Sequence, residues 1–223
     1  MKRSRINRAI REMEELMEQC GFKVPPFCAW TPREWKSKGE EYREIRENRL
    51  GWDITDYGLG NFDQVGFALI TLRNGNAGQK ERYPKPYAEK LLMVKEGQTA
   101  PMHFHWNKME DIINRGGGNV IITLYNSLPD GSFSQSPVTV QTDGRTYTAE
   151  AGSRIRLTPG ESITVTPLLY HDFQVETGSG DVLLGEVSMC NDDENDNRFY
   201  EPIGRFPSIE EDEPPYRLLC TEL

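Results

Sequence analysis

His103 and His105 lie two residues apart, Glu110 follows five residues later, and His171 completes the three histidines of the chain. Residues two apart on a strand project to one face of a sheet. Asn107-Lys108 reads as a two-residue hairpin turn. That turn would set His105 opposite Glu110, with Cβ atoms about 5 Å apart, and leave Met102, Phe104 and Trp106 on the other face. His171 opens a second candidate strand after Pro167. A hairpin turning near Gly178-Ser179 would pair Glu176 with Asp181 and set His171 opposite Glu186; a register slip of one residue would turn Glu186 away. A lone histidine is more often a core residue than a ligand. Here every histidine of the chain falls into one H-x-H-x4-E plus distant-His pattern. Three neutral imidazoles and a carboxylate form a donor set suited to Mn, Fe, Co, Ni or Zn, so His103, His105, Glu110 and His171 are the expected metal ligands.

These residues need a β scaffold, and the chain supplies the signals for one. After Gly51, short β-rich runs alternate with turn chemistry. Candidate strands cover 66–72, 88–95, 100–106, 109–114, 119–125, 138–141, 145–149, 153–157, 162–166, 171–176 and 182–189. Turns fall at Asp130-Gly131, Asp143-Gly144, Pro159-Gly160 and Gly178-Ser179-Gly180. Strands so spaced, without helices between them, predict an antiparallel sandwich or barrel. Two helices are expected before it. Ile6, Ile10, Met13, Leu16, Met17 and Cys20 recur at helical spacing from Ser4 to Gln19, and Gly21 stops the run. Thr31-Pro32-Arg33-Glu34 has the form of a capping box and starts a second helix reaching about Glu47. The expected organisation is one domain: a helical extension over 1–50, a barrel over 51–190 and a wrapping segment over 191–223.

The 223 residues carry a net charge of −9. That balance disfavours nucleic acid and anionic membranes as partners. No apolar run reaches the roughly 18 residues that span a bilayer, and the charged N-terminus lacks a secretory h-region. The four cysteines form no CxxC pair, so reduced thiols in a cytoplasmic protein are expected.

Gly97, His103, His105, Glu110 and Gly117 stand at the positions of the first motif of the cupin superfamily, which the chain resembles. Pro159-Gly160 and His171 resemble the second motif, with a longer gap before the histidine. The longer stretches Glu89-Lys90-Leu91, Pro101 to Trp106 and Lys108 to Gly118 are similar to the bacterial cupin D-lyxose isomerases, and the likeness extends over most of the chain. This resemblance implies a mainly β protein, an antiparallel jelly-roll barrel with a two-helix N-terminal extension. It also implies a Mn-dependent aldose–ketose isomerase, active on D-lyxose and D-mannose, as a homodimer. Isomerisation moves a proton between C1 and C2, which requires a base and an electrophile. Glu186 is the candidate base. Lys90, which interrupts an apolar strand, is the candidate to polarise or protonate a sugar oxygen. Arg205 and Glu194, from the segment after the last hairpin, are candidate substrate-binding residues. Asp111 should face away from the site. Two rival functions use the same ligands: an Fe-dependent dioxygenase, and a sugar-binding cupin without catalysis.

Overall fold

A computed structural model describes residues 1–193 and 195–223. Helix α1 (Arg3–Gln19) forms where the apolar period runs, and it buries Ile6, Ile10, Met13, Leu16 and Met17. Gly21, at φ 66°, ends it. The amides of Gly21 and Phe22 fold back onto the carbonyls of Glu18 and Met17, at 3.0 and 2.9 Å, so a residue free to adopt the left-handed conformation caps the helix.

The long second helix expected over Pro32–Glu47 is broken. The chain forms α2 (Pro32–Trp35), with the Thr31–Glu34 capping box in place, then a short 3₁₀ turn and α3 (Arg43–Glu47). The break falls at Gly39, which adopts an extended backbone and has little helix propensity. Trp30 packs edge-on against both Trp35 and Tyr42, each at 4.9 Å.

Thirteen strands follow among the described residues: β1 (Gly51–Thr55), β2 (Phe67–Asn74), β3 (Tyr87–Val94), β4 (Thr99–His105), β5 (Glu110–Gly117), β6 (Val120–Asn126), β7 (Val138–Thr142), β8 (Arg145–Ala149), β9 (Arg154–Leu157), β10 (Ser162–Val165), β11 (Leu169–Val175), β12 (Val182–Met189) and β13 (Asn197–Phe199). They pair antiparallel in two layers. One runs β1-β2-β3-β12-β5-β10-β7-β8, the other β13-β4-β11-β6-β9. β1 and β13 were not among the expected strands.

Both expected hairpins are corrected. β4 lies between β13 and β11, whereas β5 lies between β12 and β10 in the other layer. β11 and β12 are likewise in different layers. Each connection turns a corner between layers instead of reversing within one. At the first corner the amides of Trp106, Asn107 and Lys108 bond to Asp196 rather than across a turn.

The layers face each other over a core that includes Leu69, Leu92, Ile112, Ile122, Leu124, Ile163 and Leu184. The outer face of the longer layer is also apolar. Trp52, Ile54, Ile70, Leu91, Met93 and Leu183 pack there under α1. Burial on both faces is why most of β2 and the second half of β3 read as near-continuous apolar runs. The C-terminal segment lies along α1: the buried Arg3 guanidinium pairs with Glu211 and Glu222, and Tyr216 bonds Glu14. All four cysteines are free. No helix among the described residues is long and apolar enough to cross a membrane.

Candidate active site

One end of the barrel interior carries the polar side chains. β4 and β11 pair with His103 directly opposite His171 and Ala100 opposite Phe173. Three steps on β4 therefore match two on β11. This bulge keeps Ala100 and His103 both on the inner side, and His105 follows two residues on. The potential ligand atoms of the three histidines lie within 4.8 Å of one another. The Nδ1 atoms of His103 and His171 sit 2.8 and 3.0 Å from the carbonyls of Pro101 and Leu169. A proton on each Nδ1 satisfies those carbonyls and leaves Nε2 as a lone-pair donor.

Glu110 opens β5 and enters from the opposite layer. Its Oε1 is 3.2 Å from His105 Nε2 and 3.0 Å from His171 Nε2. The second approach is not aligned as a hydrogen bond, and His171 Nε2, although buried, has no hydrogen-bond partner. Buried polar nitrogens are normally satisfied. His171 Nε2 and Glu110 Oε1 meet without a proton between them, and His105 alone shares one with that oxygen; a cation at this point would satisfy the lone pairs, so three imidazoles and Glu110 Oε1 fit a divalent metal. Burial, then the neighbouring histidines, holds His103 well below the ordinary histidine range; burial and Lys108 lower His105. Both imidazoles are thus neutral, as ligands must be.

A chain of alternating charges extends from Glu110. Lys108 Nζ is 2.7 Å from Glu110 Oε2 and 2.9 Å from Glu186 Oε1. Lys90 Nζ is 3.3 Å from the same Glu186 oxygen. The register explains the meeting: Glu186 pairs with Lys90 on one side and Ile112 on the other, while Ser188 pairs with Glu110. Lys90, Glu186 and Glu110 thus share the inner face. Burial alone would push the Lys108 ammonium down, but the two carboxylates outweigh it and raise it above ordinary lysine. Burial would likewise raise the Glu186 carboxyl, yet Lys108 and Lys90 bring it below its ordinary value. Glu186 is therefore ionised at neutral pH.

Arg205 also lines the pocket. It bonds Asp53 Oδ2 at 2.6 Å and lies 3.4 Å from Asp193 Oδ1. His103, His105, Glu110, His171, Glu186, Lys90 and Arg205 are thus brought to one end of the barrel. Glu194 lies outside the described residues. Asp111 faces outward, is exposed and bonds Thr164. Of the aromatic residues near the motifs, Phe173 lines the pocket, whereas Trp106 and Tyr170 pack on Phe104 on the other side of β4. Lys108 was missed as a site residue because it was assigned to a turn. A lysine between two ligands of the motif was the available signal. Asn191, which accepts a hydrogen bond from Lys90 Nζ, carried no signal in its type or spacing.

A two-layered antiparallel barrel holding H-x-H, a glutamate and a distant histidine inside one end is a cupin. In the solved structure of an Acinetobacter sp. DL28 L-ribose isomerase, the same fold covers 94% of this chain and 98% of that one, at a TM-score of 0.61 and 14% identity. The chain belongs to the D-lyxose isomerase family, whose model matches residues 1–223, and is an aldose–ketose isomerase. It is 48% identical over 223 residues to the D-lyxose/D-mannose isomerase of Serratia proteamaculans, covering all of this chain and 97% of that protein. It is 46% identical over 223 residues to the D-lyxose/D-mannose isomerase of Escherichia coli O157:H7, covering all of this chain and 98% of that one.

Proposed function

We propose that this isomerase is metal-dependent and interconverts D-lyxose with D-xylulose and D-mannose with D-fructose. The observation that carries the reading is the meeting of two devices in one pocket. Three imidazoles converge with Glu110, and Glu186 is held between two ammonium groups beside them. In this reading His103, His105, Glu110 and His171 hold the ion. Mn2+ is the ion proposed, with Fe, Co and Zn as competitors for the same donors. When bound, the ion supplies Lewis acidity toward the sugar carbonyl.

Glu186 is the base. Its ionised carboxylate takes the proton from C2 of the aldose and returns it to C1, while the hydroxyl proton passes from O2 to O1, leaving the carbonyl at C2. Lys108 and Lys90 keep that carboxylate charged and fix its direction. They also offer N–H donors to the sugar oxygens on which charge develops. Lys108 in addition holds Oε2 of Glu110, so Oε1 stays turned to the histidines. Arg205 binds sugar hydroxyls, and the proposal extends to Glu194 in the same role. A homodimer in the cytoplasm completes the reading, supported by the family resemblance.

The test is an anaerobic assay of metal-stripped protein with Mn2+ restored, following ketose formation from D-lyxose and D-mannose. Ketose formed without oxygen and lost in His103→Ala is expected. Ketose formation that needs oxygen, or that survives both stripping and His103→Ala, would overturn the proposal. Metal binding without turnover of either sugar would leave a binding cupin.

A further inference from the structure

The space beside the histidines is small. The pocket formed by the site residues leaves about 40 Å³ of space for water-sized groups, enough for a few atoms, since about 10–15 Å³ of such space holds one water. It has room for the reacting end of a sugar and not for the rest of the chain. The remaining carbons must extend into adjoining space.

Two larger cavities border this pocket. One shares Lys108 with it, measures about 340 Å³ and is walled by Pro86, Ala77, Met189 and Cys190 among others. The apolar face of that wall offers a polyol's hydroxyls no partners, and its polar residues, Lys80, Asn107, Asn195 and Asp196 among them, cover less of it. The other shares Asn191 and Asp193 with the pocket, measures about 310 Å³ and is lined by Asn48, Asp53, Asn74 and Asn76. Amides and carboxylates in this arrangement suit hydroxyl groups, because each supplies donors or acceptors in fixed directions. Arg205 stands at the junction. It bonds Asp53 of the outer cavity and lies against Asp193 of the shared wall. Its Nη1 is buried and has no hydrogen-bond partner among the described residues, an unspent donor on a side chain that lines the inner pocket.

Building on the isomerase reading, we propose that the polar cavity beyond Asn191 and Asp193 is the subsite for the tail of the sugar chain. The reacting end lies against the histidines and Glu186, and the tail hydroxyls lie among the asparagines. The sixth carbon of a hexose reaches deepest. The outer cavity therefore sets the preference between five- and six-carbon aldoses.

The test is the ratio of kcat/KM for D-mannose to that for D-lyxose, measured with the Mn2+-loaded enzyme. Asn76→Phe fills the cavity from a half-buried position. Gly78→Trp fills it from an exposed one, where an added Cβ would meet only Asn76, at 3.5 Å, so added bulk does not disturb the core. A single methylene in a fitted site is worth roughly 10-fold or more in discrimination, so each variant should lower the ratio about tenfold. A ratio unchanged in both variants, whether the two activities fall together or stay as they were, overturns the proposal. So does a wild-type enzyme that converts D-lyxose and not D-mannose. Wild-type protein that converts neither sugar shows instead that the isomerase reading has failed, before any variant is made.

Discussion

The interior of the barrel has two halves built from the same strands. On β12, Val182 and Leu184 point into the packed half, and Glu186 and Ser188 continue the same face into the polar half. β3 runs from Val94 and Leu92 to Lys90, and β5 from Ile112 to Glu110. On these three strands the period of two is unbroken between the halves; only the chemistry of the inward residues changes. The apolar half gains stability from burial. The polar half carries buried charges whose desolvation offsets much of their attraction, so its contribution is a fixed arrangement of charge rather than net stability. The comparison suggests that the closed half sets the register in which the open half can be charged.

The sharpest way to break this contrast is to substitute neighbours on one strand. Glu186→Gln keeps shape and removes the base, so kcat should fall about 10²–10⁴-fold, with a smaller loss of stability than its neighbour's. Leu184→Ala leaves a cavity in the packed half, costing about 2–5 kcal/mol, while kcat per folded molecule should stay near wild type. Denaturant unfolding and steady-state kinetics on both variants separate the effects. If Leu184→Ala lost as much kcat as Glu186→Gln, the halves would not be separable.

Much of this division was legible in the sequence. The alternation in β4 and β5 put His103, His105 and Glu110 on an inner face, and in the fold these side chains and His171 lie together. What could not be read was which strand each one pairs with. Periodicity fixes the face a residue takes but not its partner, so the corner at Trp106–Lys108 looked like a hairpin. In the fold it is a passage between layers, held by the Asp196 carboxylate at 2.8 and 3.0 Å. Lys108 was hidden for the same reason, since its burial depends on Glu186, a residue 78 positions away. β13 was hidden because three residues following an acidic run give no strand period, and it pairs only because β4 offers a free edge.

The second prediction concerns pH and the metal-free protein. Burial and neighbouring groups hold His103 and His105 below the ordinary histidine value, which is about 6.5 in an unfolded chain. From there down to the lowered folded values, the unfolded chain binds more protons than the folded one, so stability rises with pH and is lost on acidification. Each histidine adds a slope of up to about 1.4 kcal/mol per pH unit in that window. The melting temperature of metal-stripped protein should therefore fall between about pH 6.5 and 5. Leu184→Ala should start lower and keep the slope, because it touches only the packed half. His103→Asn should make the slope shallower. An unchanged slope in His103→Asn would mean that this histidine titrates normally in the fold, and that the polar half is wetter than its geometry implies.

The smallest effect is expected one residue from Glu110, a proposed metal ligand. Asp111 adjoins Glu110 on β5 but faces outward, bonding the Thr164 hydroxyl at 2.5 Å across to β10. Removing an exposed hydrogen bond costs about 1 kcal/mol or less. Asp111→Ala should therefore change kcat/KM by less than about twofold and leave the bound metal content as in wild type. Glu110→Ala, by contrast, should lower metal occupancy outright. Metal analysis of the purified variants together with kinetics would decide it. A tenfold loss of activity in Asp111→Ala would mean that β5 does not present alternate residues to opposite faces where it enters the site, and the face argument would then fail at the residues for which it was built.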